Sequence, residues 1–245
     1  MMGFPKGEQY TGSSEQKSKL ERQFLRKAEI MYKLGTPIWN GEFGPVYANP
    51  VLDSDHDEVN TRRYSVLDQQ LSIYDKYGIH WSIWLYKDIG VQGMVYTDLN
   101  SKWMKTIAPF LEKKRALQLD AWGRYPSKQV EAVIDPLVEW INKVAPNSNA
   151  AYPTPWNTER QMTRLINQGW LSGLLSDEFA EAFRDMSFED LEACARSFHF
   201  DECVQRDGLN KALDSHSDVP QLTKDWVRPP NEWVDNNAKE DVLGV

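Results

Sequence analysis

The sequence predicts an α/β fold in its first part and a mostly helical arrangement after it. A helical pattern, a glycine and a short strand-forming run follow one another twice, with the two glycines at positions 35 and 78. Such a repeat is the signature of a parallel β/α array. No further strand signal occurs after Tyr86, where the apolar spacing becomes helical. We therefore expect two neighbouring parallel strands, followed by helices.

The first predicted unit opens with a helix. Ser13 and Gln16 form a capping-box pattern, and the apolar residues that follow recur at helical spacing. Gly35 supplies the C-terminal stop of this helix. The strand-forming residues Ile38 and Trp39 come directly afterwards and begin the first predicted strand.

One carboxylate, Glu42, lies where the first predicted strand ends. Gly41 and Gly44 flank it and allow other groups to approach the backbone closely. In a parallel α/β structure, active-site residues gather at this end of the strands. Glu42 is therefore the candidate catalytic residue, and the alternative is a turn residue with a solvated side chain.

The second predicted unit repeats the pattern. Asn60 is expected to cap a helix that stops at Gly78, and a strand is expected over 79–86. Trp84 falls at the carboxyl end of that strand, so it should lie at the same end of the two parallel strands as Glu42 and face the same site. An aromatic face can hold a sugar ring while a carboxylate attacks or stabilises its anomeric carbon. Core packing is the alternative role for Trp84.

The rest of the chain is predicted to be helical, with one break. A helix is expected at 103–117, broken early by Pro109, and another at 127–145 with a kink or restart at Pro136. The segment 145–155 is rich in Pro and Asn and is typical of a linker. Beyond it we expect short amphipathic helices capped by Ser176, Ser187 and Asp201, and an irregular tail from residue 219.

The composition limits the class of partner. The net charge is −8 and no basic run occurs, which argues against nucleic acid or an anionic membrane. No run of about 18 apolar residues is present. Cys194 and Cys203 are too few for a disulfide-built scaffold, and they could pair or remain free thiols. The opening residues lack the architecture of a signal peptide, and the compartment is left open.

Three motifs carry a family resemblance. They are Ile-Trp-Asn-Gly-Glu-Phe-Gly at 38–44, Trp-Leu-Tyr-Lys at 84–87 and Met-Gly-Phe-Pro-Lys-Gly-Glu-Gln-Tyr-Thr-Gly at 2–12. In type and order they resemble the seventh strand, the end of the eighth strand and the loop after the sixth strand of glycoside hydrolase family 5, the cellulase family. The resemblance covers about 1–118, and 150–215 is similar to the helical extension of some fungal-type members.

The resemblance implies a fold and a chemistry. The fold would be the last two β/α units of a (β/α)8 TIM barrel at 1–118, a helical extension at 119–218 and an irregular tail at 219–245. The activity would be retaining hydrolysis of β-linked glycosides or polysaccharides, without a metal or organic cofactor. The resemblance makes Glu42 the nucleophile, Trp84 the sugar platform, and Tyr86 and Lys87 lesser substrate contacts. His80 would be a strand residue inside the barrel.

The chain also departs from the family pattern. The first six strands would lie before Met1, together with the Asn-Glu-Pro motif whose glutamate is the general acid/base. The pair Asn231-Glu232 follows the nucleophile and lacks the proline, so we interpret it as coincidence. The chain is therefore expected to be the C-terminal portion of an enzyme and inactive in isolation. The alternatives are a non-catalytic carbohydrate-binding protein and a helical interaction module in 119–215.

Overall fold

The computed structural model describes residues 9–50, 53–119, 127–147 and 157–217. These described residues divide into two compact units, of which the first comprises those up to Tyr96 and those from Val204 to Ser217. The second unit comprises the described residues between Thr97 and Cys203 and is an insertion in the sequence of the first. The segment 97–118, which the sequence groups with the N-terminal part, thus belongs to the second unit.

Helices dominate the described residues, and the strands are short. In chain order the elements are α1 (Ser14–Leu34), β1 (Trp39–Phe43), α2 (His56–Tyr77), β2 (His80–Ile83), β3 (Lys87–Asp88), β4 (Val95–Thr97), α3 (Lys102–Ala116), α4 (Lys128–Val144), α5 (Thr158–Thr163), α6 (Ser172–Leu174), α7 (Ser176–Glu181), α8 (Phe188–Arg196), β5 (Cys203–Gln205) and α9 (Asp207–Asp214). A π-helical stretch, Arg164–Leu171, joins α5 to α6, and a 3₁₀ turn spans Phe200–Glu202.

The strands form two small sheets. β1 and β2 pair in parallel, as the repeated helix–strand pattern predicts. A second sheet has the order β3-β4-β5, with β3 parallel to β4. We expected no strand after Tyr86, and this was wrong, because β3, β4 and β5 all follow it. The second predicted strand ends at Ile83 rather than at Tyr86. Strands of two or three residues are too short to show an alternating pattern in the sequence.

The ends of α1 and α2 follow local sequence rules in part. The Ser13 hydroxyl accepts the Gln16 amide at 3.2 Å, and the helices end at left-handed Gly35 and Gly78. Asn60 is not a cap, because α2 begins four residues earlier at His56. The Asn60 side chain instead exchanges two hydrogen bonds with the backbone of Ala48, at 2.7 and 3.2 Å. It therefore fastens the loop after β1 to α2.

The core of the first unit lies between α1, α2, α9 and one face of the β1–β2 sheet. Its aromatic centre is Tyr74 of α2, whose ring contacts those of Phe24 and Phe43 at centroid distances of 5.7 and 5.2 Å. The most deeply buried aliphatic residues are Leu20, Met31, Leu67, Leu71 and Leu209. Because Leu209 belongs to α9, the segment after the second unit completes the core of the first.

The second unit corrects several helix predictions. α3 and α4 continue through Pro109 and Pro136 without a break. Proline removes one hydrogen bond from a helix, and tertiary packing of the remaining turns can outweigh that loss. In α3 this packing comes from a ring cluster formed by Trp103, Phe110, Phe179, Phe183 and Phe198.

The predicted caps and the cysteines of this unit have mixed outcomes. Ser187 caps α8 in a capping box with Asp190, as predicted. Ser176 is the first residue of α7 and Asp201 lies in the 3₁₀ turn, so neither is a cap. Both cysteines are free thiols, of which Cys194 is buried and Cys203 is half-buried.

Some predictions fall outside the described residues. These are most of the motif at 2–12, most of the linker at 145–155, the tail from 219 and the pair Asn231-Glu232. Within the described ranges, no helix combines the length and the apolar character needed to cross a membrane.

Candidate active site at the ends of β1 and β2

The β1–β2 sheet packs one face against the helices and leaves part of the other open. Asn40 Nδ2 donates to the hydroxyl of Tyr74 at 2.9 Å, and Phe43 packs edge-on against the same ring. Both side chains therefore face α2. Trp39, Gly41 and Glu42, by contrast, are exposed.

A register shift explains why Glu42 is exposed. Residues three apart on a regular strand point to opposite faces, yet Asn40 and Phe43 both reach Tyr74. The pairing of β1 with β2 shifts between these two residues, as in a β-bulge. The extra residue leaves Gly41 and Glu42 on the side away from α2. The bulge thus directs the candidate nucleophile away from the helical core.

Trp84 continues the pairing of the two strands beyond their regular part. Its amide donates to the carbonyl of Phe43 at 2.8 Å, one residue after the last paired residue, Ile83. The Trp84 side chain is 43% exposed, and the Trp84–Leu85 peptide bond is cis. The carboxyl ends that carry Glu42 and Trp84 therefore lie on adjacent parallel strands, as the sequence predicts.

Two contacts hold the backbone around Glu42. The Ser82 hydroxyl donates to the carbonyl of Gly41 at 3.1 Å, across the shifted part of the sheet. Gly44 has φ +150°, and a Cβ atom there would lie 2.7 Å from the carbonyl oxygen of Trp84. Glycine is therefore required where the chain leaves β1, because any side chain would collide with Trp84.

The surroundings of Glu42 leave its carboxylate accessible. Among the residues that the structure describes, none forms a hydrogen bond or an ion pair with this side chain. A carboxylate in this setting can approach an electrophile such as an anomeric carbon. Retaining hydrolysis also needs a second carboxyl group about 5–5.5 Å away, and the sequence assigns no such group to this rim.

The other predicted site residues lie nearby along the chain. The Tyr86 side chain is exposed, and its carbonyl accepts the amide of Val95 at 3.0 Å. Lys87 begins β3 and is half-buried. His80 begins β2, pairs with Trp39 and is exposed. The structure thus places Tyr86 and Lys87 on the segment that follows Trp84, and His80 at the opposite end of its strand.

Sequence reasoning missed two residues that organise this region. The Asp88 carboxylate accepts the amides of Gly90, Val91 and Gln92 at 2.8, 3.1 and 2.7 Å. The Asp-Ile-Gly sequence is a turn signal that could have revealed this. Arg206 donates to the carbonyls of the same loop, and its distance along the chain left no local signal.

One comparison with known proteins gives a relative. The chain is 43% identical over 223 residues to a protein named β-xylosidase from Phanerodontia chrysosporium. The match covers 89% of this chain and 47% of that protein, so the chain spans about half the length of the curated relative. No protein-family model matches the chain, and no solved structure is significantly similar to it. Identity at this level over most of the chain indicates homology.

Proposed function

We propose that the chain belongs to a retaining O-glycosyl hydrolase that acts on β-linked glycosides, with β-xylosides as the substrate class. In that enzyme the chain supplies the strand ends that carry the nucleophile, Glu42, and the sugar-binding Trp84. The observation that carries this proposal is the parallel pairing of β1 with β2, which aligns the strand ends of Glu42 and Trp84. The homologous β-xylosidase supports a glycoside hydrolase independently of that geometry.

The proposed chemistry follows from the properties of the two side chains. Glu42 attacks the anomeric carbon, and the bond to the leaving oxygen breaks as a separate carboxylic acid protonates that oxygen. Water then cleaves the glycosyl ester and regenerates the Glu42 carboxylate. Trp84 holds the sugar ring on its indole face, and Tyr86 and Lys87 add lesser contacts.

The proposal extends to the family and the fold. The motifs at 38–44 and 84–87 favour glycoside hydrolase family 5, and the parallel β1–β2 pair is compatible with the last two β/α units of its barrel. Parallel sheets are normally covered on both faces, whereas Trp39 and Glu42 are exposed here. This uncovered face supports a catalytic unit that is larger than the described residues.

We also propose that the isolated chain does not turn substrate over. A single carboxylate can attack, but it cannot protonate the leaving group in the same step. Purified chain should therefore release no phenol from an aryl β-xyloside. Turnover that disappears in Glu42→Gln would overturn this part of the proposal.

A chimera tests the catalytic role of Glu42. In it, the matching part of the Phanerodontia chrysosporium β-xylosidase is replaced by this chain, so that the rest of that enzyme supplies the acid. We expect the chimera to hydrolyse an aryl β-xyloside, and Glu42→Gln to reduce kcat by about 10⁴-fold or more. Glu15→Gln, which changes an exposed carboxylate in the first turn of α1, is the control. A folded Glu42→Gln chimera with normal kcat would refute the assignment.

A further inference from the structure

Arg206 is a buried arginine that contacts the loop after β1 and the loop between β3 and β4. Its side chain is 6% exposed although it carries a positive charge. Its Nε donates to the carbonyl of Gly93 at 2.9 Å, and its Nη2 donates to the carbonyl of Gly90 at 2.9 Å. The planar guanidinium thus spans both ends of the loop between β3 and β4.

Two tyrosine rings pack against the same guanidinium. Its central carbon lies 4.3 Å from the ring centroid of Tyr47 and 4.5 Å from that of Tyr96. Tyr47 belongs to the loop after β1 and is 3% exposed. Cation–π contacts are strongest where water is excluded, as it is here. Arg206 therefore contacts the chain that follows Glu42 as well as the chain that follows Trp84.

Backbone hydrogen bonds connect the two loops and lead back to the site. The Tyr47 amide donates to the carbonyl of Val91 at 2.6 Å, which joins the loops directly. The Arg206 amide donates to the carbonyl of Met94 at 2.8 Å, and the Met94 amide donates to the carbonyl of Leu85 at 3.0 Å. Leu85 follows Trp84, so the path from Arg206 to the indole-bearing segment is short.

The contacts at position 206 require the chemistry of an arginine side chain. A buried cation is costly unless its donors are satisfied. In the part of the chain that the structure describes, Arg206 contacts carbonyl oxygens, two aromatic faces and the Tyr64 side chain, and it forms no ion pair with a carboxylate. Lysine would keep the charge, but its ammonium lacks the planar fork that reaches two carbonyls and stacks between rings. Methionine has similar bulk without either property.

We propose that Arg206 is a positioning residue, which fixes the Glu42 strand end relative to the Trp84–Tyr86 segment without touching the substrate. This inference rests on the proposed function, which gives Glu42 and the Trp84–Tyr86 segment their roles in catalysis and sugar binding. Its structural content, a clamp on the two loops, stands on the contacts of Arg206 itself. The clamp comes from the segment after the second unit, so the site depends on residues more than a hundred positions away from Glu42.

The test uses the full chain labelled with 5-fluorotryptophan, in which Trp84→Phe assigns the fluorine resonance of Trp84. We expect Arg206→Met to shift or broaden that resonance, and Arg206→Lys to give an intermediate effect. The Trp103 resonance and the exposed variant Arg196→Met serve as references that should not change. Amide hydrogen exchange should accelerate in 44–49 and 85–96 and stay unchanged in α1. An unchanged Trp84 resonance, or exchange that rises equally in α1, would overturn the proposal.

Two further arms keep the result decisive. Tyr47→Leu removes one ring that stacks on the Arg206 guanidinium but leaves its hydrogen bonds to the carbonyls. It should accelerate amide exchange in the same loops, and it serves as the test if Arg206→Met does not fold. Unchanged exchange in Tyr47→Leu would contradict the proposal. Xylotriose should perturb the Trp84 resonance of the unmodified chain, and Arg206→Met should weaken this response. A chain that ignores xylotriose contradicts the proposed function alone, because resonance and exchange still decide whether Arg206 orders the loops.

Discussion

The backbone amide of Trp84 donates a hydrogen bond to the carbonyl of Phe43 at 2.8 Å. This bond extends the parallel β1–β2 pairing to the residue that carries the proposed sugar platform. Because Phe43 follows Glu42 directly, the two proposed site residues are joined by backbone pairing of two strand ends. Positions set by paired strands are more rigid than positions on free loops, which suits the proposed roles of these two residues.

Gly44→Ala should destabilise the first unit. The new Cβ would lie 2.7 Å from the carbonyl oxygen of Trp84, at a φ of +150° that side chains rarely adopt. We expect the free energy of unfolding to fall by about 1–3 kcal/mol in a denaturant titration. Gly41→Ala is the matched control, because its Cβ would meet only ordinary contacts with Trp39 at 3.8 Å or more. Equal losses in the two variants would contradict the account of Gly44.

Trp84→Ala should weaken binding of β-linked xylose oligomers. Removing the indole face would cost about 1–1.5 kcal/mol, or roughly tenfold in Kd for xylotriose measured by calorimetry. Trp140→Ala changes an exposed indole of α4 and should leave Kd unaltered. The platform role fails if both variants bind as tightly as the unmodified chain does.

Removing the buried hydroxyls of Tyr74 and Tyr32 should have different effects on the free energy of unfolding. Tyr74→Phe deletes the acceptor of the Asn40 amide, which is 2.9 Å away, and leaves that donor unpaired. We expect a loss of about 1 kcal/mol in the free energy of unfolding. The Tyr32 hydroxyl is buried without a hydrogen-bond partner in the described structure, so Tyr32→Phe should be neutral or stabilising. Thermal denaturation of both variants checks this contrast, which a loss in Tyr32→Phe would contradict.

His216 should make the stability of the first unit depend on pH. Its ring contacts the carboxylates of Asp75 and Asp68 on α2, with Nε2 3.1 Å from Asp68. Burial alone would lower the pKa of His216, but these hydrogen bonds and charges raise it above the usual value of 6.5. The folded state therefore favours the protonated ring, and its contribution is present in full below the unfolded pKa. That contribution disappears as the pH rises through the raised folded pKa.

Urea titrations below and above the pKa of His216 check whether its contribution to stability falls as the pH rises. His216→Gln should lose stability at about pH 5.5 and much less at about pH 9. His199→Gln, which changes an exposed histidine of the second unit, should retain the pH dependence of the unmodified chain. A His216→Gln loss that is larger at the higher pH would contradict the assigned direction.

Local sequence rules predicted the parts of the fold that are governed by near neighbours. Ser13 and Ser187 begin helices, and Gly35 and Gly78 end them, as predicted, because each acts through its own turn of backbone. The first strand was also predicted, because β-branched and aromatic residues lead into a glycine-rich stop. It spans Trp39–Phe43 and so ends one residue after the predicted end at Glu42.

Tertiary contacts determined what the sequence could not predict. Asn60 has the chemistry of a cap, yet a partner twelve residues earlier, Ala48, holds it within α2. Pro109 remains inside α3 because the ring cluster packs on both sides of it. The bulge that exposes Glu42 and the clamp by Arg206 depend on pairing partners distant in sequence, and neither has a local signal.

The most direct test of the central claim is chemical rescue of the chimera that carries Glu42→Ala. Without the nucleophile, hydrolysis of an aryl β-xyloside should stop, and added azide should restore release of the phenol. Azide would attack from the face that Glu42 vacates, so the account predicts an α-xylosyl azide with inverted configuration. A β-xylosyl azide would instead assign Glu42 the acid/base role. Undiminished hydrolysis without azide would show that Glu42 is not catalytic.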